Sequence, residues 1–103
     1  MEGLNEMTTT EKIRQWAIDR GLDKSNPHTQ MVKLVEELGE LASGMARQDK
    51  NKIIDSIGDM YVVMTILAKL YDLDIEFCID EAYDTIKDRK GKLVDGVFIK
   101  EEE

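Results

Sequence analysis

One cysteine, one proline and one histidine are all that this 103-residue chain holds of those residue types, and each scarcity closes off a class of protein. A lone thiol, Cys78, can make neither an intramolecular disulfide nor a thiolate metal site, and it reads as an inert apolar side chain of a reducing compartment. His28 has no second imidazole to complete a metal centre and reads as a surface residue of a helix first turn. Basic residues are in the minority, with 14 Lys and Arg against 22 Asp and Glu. The resulting formal charge of -8 repels nucleic acid and anionic membranes, so neither is an expected partner. The longest apolar run, residues 60–68, is less than half of the roughly 20 residues that a membrane span requires. The first twelve residues carry neither a basic nor an apolar leader segment. The expectation is a cytoplasmic protein of one domain, residues 1–103. At this length much apolar surface stays uncovered unless copies associate, so a homo-oligomer is expected.

What is present is helical periodicity. Apolar residues recur every three to four positions, predicting four helices at about 9–20, 27–48, 52–71 and 74–90. Ile13, Trp16 and Ala17 stripe the first, with Trp16 expected to anchor it to the core and Gly21 to stop it. Asn26 and Pro27 suit the start of the second, whose apolar arc of Met31, Leu34, Val35, Leu38, Leu41, Ala42 and Met45 centres on Leu38 and Met45. The third has no polar face over residues 60–68 and should be the most buried element. In the fourth, Phe77, Ile79, Ala82, Tyr83 and Ile86 are expected to face inward. After Gly91, the Asp95-Gly96 pair between two β-prone runs predicts a hairpin at about 92–100, and residues 100–103 should fray. The fold class is therefore all-α, a four-helix bundle with a short C-terminal β-hairpin.

Five acids stand out against this pattern. Glu36, Glu37 and Glu40 share one border of the second helix, and Asp55 and Asp59 stand at i, i+4 on the third. Asp59 falls beside Val62 and Ile66 on a surface that must pack, so it needs a compensating partner. Four carboxylates at close range require protonation, basic partners or hard cations, and oxygen-only ligands favour Mg²⁺, Mn²⁺ or Ca²⁺ over zinc. A solvated acidic helix face is the plain alternative for the first motif; Asp59 in its apolar setting weighs against it. Gly39 and Gly58, beside the acids, are expected to mark close helix approach.

The Glu-Glu-x-x-Glu motif at Glu36, Glu37 and Glu40, followed by Asp-Ser-Ile-Gly-Asp ending at Asp59, then Ile-Lys-Asp-Arg-Lys-Gly and an Asp-Gly hairpin, resembles the MazG-like nucleotide pyrophosphohydrolases, especially the small phage and bacterial forms. The resemblance covers residues 30–100. It implies an all-α homodimer or homotetramer that uses Mg²⁺, with Mn²⁺ as a substitute, to cleave a nucleoside or deoxynucleoside triphosphate to its monophosphate and pyrophosphate. It implies Glu37, Glu40 and Asp59 as metal ligands. The sequence departs from the family at Ser56, where a glutamate is usual, and Asp55 is the nearest acid that can replace it; Asp84 stands where the family often has asparagine.

Phosphoanhydride hydrolysis needs neutralised charge and an aligned water, with a spare carboxylate to take the proton, a role open to Glu36 or Glu40. Lys33, Lys87, Arg89 and Lys90 are the candidate phosphate contacts. Lys33 also makes an ordinary i, i+4 pair with Glu37, and a basic last turn suits the helix dipole of the fourth helix. Two readings of other classes compete: a catalytically silent helical interaction protein with a structural cation site, and an acidic adaptor with no metal at all.

Overall fold

The computed structural model describes residues 6–101; residues 1–5 and the tail residues 102–103 lie outside it. Helix α1 spans Thr9–Asp19, a 3-10 turn Leu22–Lys24, α2 Pro27–Ala46, α3 Lys50–Leu70 and α4 Ile75–Ile86. Strands β1, Gly91–Val94, and β2, Val97–Lys100, follow.

Local chemistry sets most of these boundaries. Thr8 and Glu11 form a reciprocal capping box at the start of α1. Gly21, at φ +73°, ends that helix as expected. Asn26 accepts from the His28 backbone N–H at 2.8 Å, with Pro27 in the first helical position. Asp49 caps α3 by accepting from the Lys52 N–H at 3.2 Å, so that helix starts at Lys50, earlier than the expected 52. Helix α2 stops at Ala46 rather than 48, because Gln48 turns left-handed at φ 54°. Asp95 and Gly96 both have positive φ, the two-residue turn that Asp-Gly favours, and Val94 pairs with Val97 beside it.

The α2–α3 hairpin is the centre of the fold, and α3 touches α1, the 3-10 turn, α2 and α4. Gly44 sits at the tight end of the hairpin, where an added Cβ would stand 3.2 Å from Lys52 and 3.4 Å from Ile53. Close approach is thus needed at Gly44 and not at Gly39 or Gly58, which both face open space. Ala17, Val63, Ile66, Ala68 and Ile75 form the buried apolar core among the described residues. Arg14 on α1 ties down the start of α4 through Glu76 at 2.7 Å.

Much of the predicted core lies outside it. Helix α2 packs with Gln30, Glu37 and Gly44 innermost, so Met31, Val35, Leu38 and Met45 are turned to the surface, joined there by Ile54 and Ile57 of α3. Phe77, Ile79, Ala82, Tyr83 and Ile86 of α4, expected inside, are exposed, as is every hairpin residue. The radius of gyration is 16.9 Å, against roughly 13 Å for a compact chain of this length. No helix of the described residues is long and apolar enough to cross a membrane.

Candidate functional site

The inward turn of α2 brings Glu37 opposite Asp59 of α3. Both line a cleft of about 440 Å³ between the α2–α3 hairpin, α1 and the 3-10 turn. One wall is polar, made by Lys33, Glu37 and Asp59 with Thr29 and Gln30 beside them; the other is apolar, made by Trp16, Leu22, Val62, Val63 and Ile66. An acidic patch against a greasy slot can hold an amphiphilic ligand whose charged end needs cations and whose flat end needs a dry surface.

Charge is unevenly balanced here. Glu37 is buried and bonded to Lys33, Nζ to Oε1, at 3.2 Å. That contact, more than any other, raises the Lys33 pKa above its ordinary value, helped by the charges of Glu37, Glu36 and Asp59. Asp59 makes no ion pair among the described residues. Its pKa is raised first by partial burial, then by the charges of Asp55 and Glu37 and a hydrogen bond with Asp55. One lysine among these acids leaves a surplus of negative charge at the mouth of the cleft. Glu40 points elsewhere: Lys52 holds it at 2.9 Å and lowers its pKa.

A raised carboxyl pKa means that the folded state disfavours the ionised form. Asp59 therefore favours folding below its unfolded pKa, and this contribution is lost as pH rises through the higher folded value. With metal chelated, Asp59→Asn is expected to raise the melting temperature at pH 7 by about 1–4 °C and to leave it unchanged near pH 3. Thermal melts at the two pH values measure this; an equal gain at both would show that charge is not the cause.

The predicted site residues divide into three groups. Glu37, Asp59 and Lys33 share the cleft, and Asp55 couples to Asp59 from its rim. Glu36 and Glu40 are exposed on the flank of α2, and neither lines the cleft. Lys87, Arg89 and Lys90 stand apart from it: α4 ends at Ile86 rather than 90, and Lys87 pairs with Asp84 at 3.3 Å. Ser56 is 2% exposed, buried on the inner side of α3, so the position where the family usually has glutamate faces the helix interface in this chain. Among the described residues no three His, Cys, Asp or Glu side chains converge as a preformed metal cage. The donor chemistry nevertheless suits a hard cation, with oxygen donors only and more negative charge than Lys33 offsets.

Trp16, expected to anchor α1 in the core, is instead 43% exposed at the cleft, and the buried residue at that point is its neighbour Ala17. The Arg20 guanidinium lies over the indole, 4.4 Å from its centroid. Gln30, 8% exposed in the structure, was missed in the sequence; its place two turns before Glu37, on the same border of the apolar arc, was the available signal.

Over 65 residues the chain is 52% identical to the "Uncharacterized 18.2 kDa protein in rep-hol intergenic region" of Haemophilus phage HP1 (strain HP1c1), an alignment covering 62% of this chain and 40% of that protein. The chain thus spans well under two thirds of the curated relative it matches. No solved structure matches it significantly. The MazG nucleotide pyrophosphohydrolase domain matches residues 25–94, a segment that contains the whole α2–α3 hairpin, all five acids and all four candidate phosphate contacts. With two thirds of its length and both acidic motifs inside that match, the chain belongs to the MazG nucleotide pyrophosphohydrolase domain family.

Proposed function

We propose that the protein hydrolyses a nucleoside or deoxynucleoside triphosphate to its monophosphate and pyrophosphate in a Mg²⁺-dependent reaction, with Mn²⁺ able to substitute. The observation that carries this reading is the pairing of Glu37 and Asp59, from facing helices, at one end of a cleft whose other end is an aromatic and aliphatic slot. Glu37 and Asp59, with Asp55 coupled to Asp59, are the residues that would hold Mg²⁺, and Glu40 would join them only on release from Lys52; when bound, the ion supplies neutralisation of the phosphate charge and orientation of water. Lys33 can exchange its bond to Glu37 for a phosphate oxygen, so a cation is present at the cleft before substrate arrives. The water oxygen bonds to the α-phosphorus, the bond to the α–β bridging oxygen breaks, and the water proton passes to a carboxylate. Lys52 lowers the basicity of Glu40, which favours Glu36 for that proton.

The active form in this reading is a homodimer or homotetramer. The exposed apolar faces of α2, α3 and α4 supply the surface for it, and Lys87, Arg89 and Lys90 then serve a cleft of a neighbouring copy. The competing reading, a silent interaction protein, draws on the lack of a preformed cage among the described residues and on the lysines already paired with Glu37 and Glu40.

A nucleotide panel with separate detection of pyrophosphate and orthophosphate, run with Mg²⁺ and with Mn²⁺, distinguishes them. Metal-dependent pyrophosphate is the expected product. Orthophosphate, or a silent panel from a well-folded oligomer, overturns the enzymatic reading.

A further inference from the structure

Ser25, just before α2, makes two hydrogen bonds whose directions constrain each other. Its Oγ donates to the Leu22 carbonyl at 2.7 Å, and a carbonyl can only accept. The single hydroxyl proton is thereby used, so the contact between Ser25 Oγ and Gln30 at 3.2 Å must be donated by the Gln30 amide nitrogen. The orientation of the amide follows from chemistry. Gln30 is 8% exposed and lines the cleft, whereas Ser25 does not. With Nε2 tied back to Ser25, the Oε1 end is the one left to meet a ligand. Oε1 has no hydrogen-bond donor among the described side chains and is not sealed from solvent.

We infer that Gln30, locked by Ser25, selects nucleotides whose base places an amino donor beside a ring-nitrogen acceptor on its Watson–Crick edge, cytosine or adenine, over their keto counterparts, uracil or hypoxanthine. This rests on the reading of the cleft as a nucleotide site and adds a base preference to it. A base held against Trp16 in the cleft that Trp16 and Gln30 both line would bring its edge to the α2 wall. A free glutamine amide recognises either edge type, because a flip exchanges its acceptor and donor. Cytosine and adenine offer an amino donor beside a ring-nitrogen acceptor; Oε1 takes the first and the remaining Nε2 hydrogen meets the second. Uracil and hypoxanthine offer a carbonyl beside a ring N–H, which only the flipped amide can match. The Leu22–Ser25–Gln30 relay disfavours that flip, because the flipped amide gives up the bond to Ser25, and the unflipped one sets Oε1 against a carbonyl oxygen. Ser25 is a positioning residue, and the 3-10 turn that supplies Leu22 is held in place by Gly21 at φ +73°. Leu22 and Trp16 lie outside the family match at 25–94.

Trp16 is the sole tryptophan, so its fluorescence reports occupancy of the slot without any need for catalysis. Titration of the full-length protein with CMP against UMP, and with AMP against IMP, in the absence of metal, is expected to show quenching at about tenfold lower concentration for the amino member of each pair. Ser25→Ala should shrink that ratio to about threefold or less while the affinity for CMP changes little, because the amide is freed to flip. Gln30→Met should remove the preference by a separate route. Equal or stronger binding of UMP and IMP, a ratio that survives Ser25→Ala, or no quenching by any of the four nucleotides overturns the inference. Pyrophosphate release without base preference would overturn this inference alone; selective quenching from a protein that hydrolyses nothing would support it and overturn the catalytic reading instead.

Discussion

Replacement of Asp59 by alanine is expected to lower Mg²⁺-dependent pyrophosphate release by at least about a hundredfold, and Glu37→Gln by a similar factor, while Glu40→Ala costs less than either. The ranking follows from where the helices place each side chain. Glu37 is buried and Asp59 half-buried, both in the cleft, and Asp59 has no cation bonded to it. Glu40 is exposed on the flank and already bonded to Lys52. Loss of Asp59 removes the carboxylate for which the surrounding charge leaves a cation as the natural partner. Loss of Glu37 removes both a second oxygen donor and the group that holds Lys33 at the site. The measurement is initial pyrophosphate release at saturating Mg²⁺, with circular dichroism to verify folding. A metal-induced rise in melting temperature should accompany activity in the wild type and be absent in Asp59→Ala, because a ligand that binds only the native state stabilises it. Unchanged turnover in both Asp59→Ala and Glu37→Gln would sink the site assignment.

Leu38→Glu is expected to convert the protein to a monomer at concentrations where the wild type is an oligomer, weakening association by about a hundredfold or more. Leu38 is 53% exposed at the middle of a face that also presents Met31, Val35 and Met45 of α2 and Ile54 and Ile57 of α3. In the proposed homo-oligomer this exposed apolar face is the surface that a second copy would cover. A carboxylate at its centre would have to be desolvated without a partner if the face were buried. Light scattering coupled to size exclusion reads the change directly. The cleft lies about a quarter-turn round α2 from Leu38, on the inner side that carries Glu37, so secondary structure and the charge pair of Lys33 and Glu37 should survive the substitution. A wild type that is monomeric at high concentration, or a variant with unchanged mass, would remove this face from the assembly.

The two predictions differ in how visible their residues are in the chain. Periodicity revealed α2 and α3 because each repeats its apolar residues over about twenty positions, and Asn26, Pro27, Gly21 and the Asp95-Gly96 pair marked ends and turns through local chemistry. The acids were legible because charge inside an apolar pattern is costly wherever the helix packs. The rotation of α2 was not legible: its apolar residues wrap so far around the axis that the pattern fits a partner on either side. Packing on α3 selected the side carrying Gln30, Glu37 and Gly44, which buried an acid and exposed Leu38 and Met45. Gly44, rather than Gly39 or Gly58, proved to be the point of close approach for the same reason.

Fold class, helix count, the Asp-Gly hairpin and the kinship of the two acidic motifs follow from the amino-acid order alone, since they depend on interactions between residues near one another in the chain. Tertiary structure alone decided that Glu37 and Asp59 share a cleft while Glu40 turns to Lys52, and that Trp16 forms a wall instead of filling the core. Each of these depends on the rotation of one helix against another, which is set by the balance of all contacts between them and leaves no mark on the periodicity of either helix.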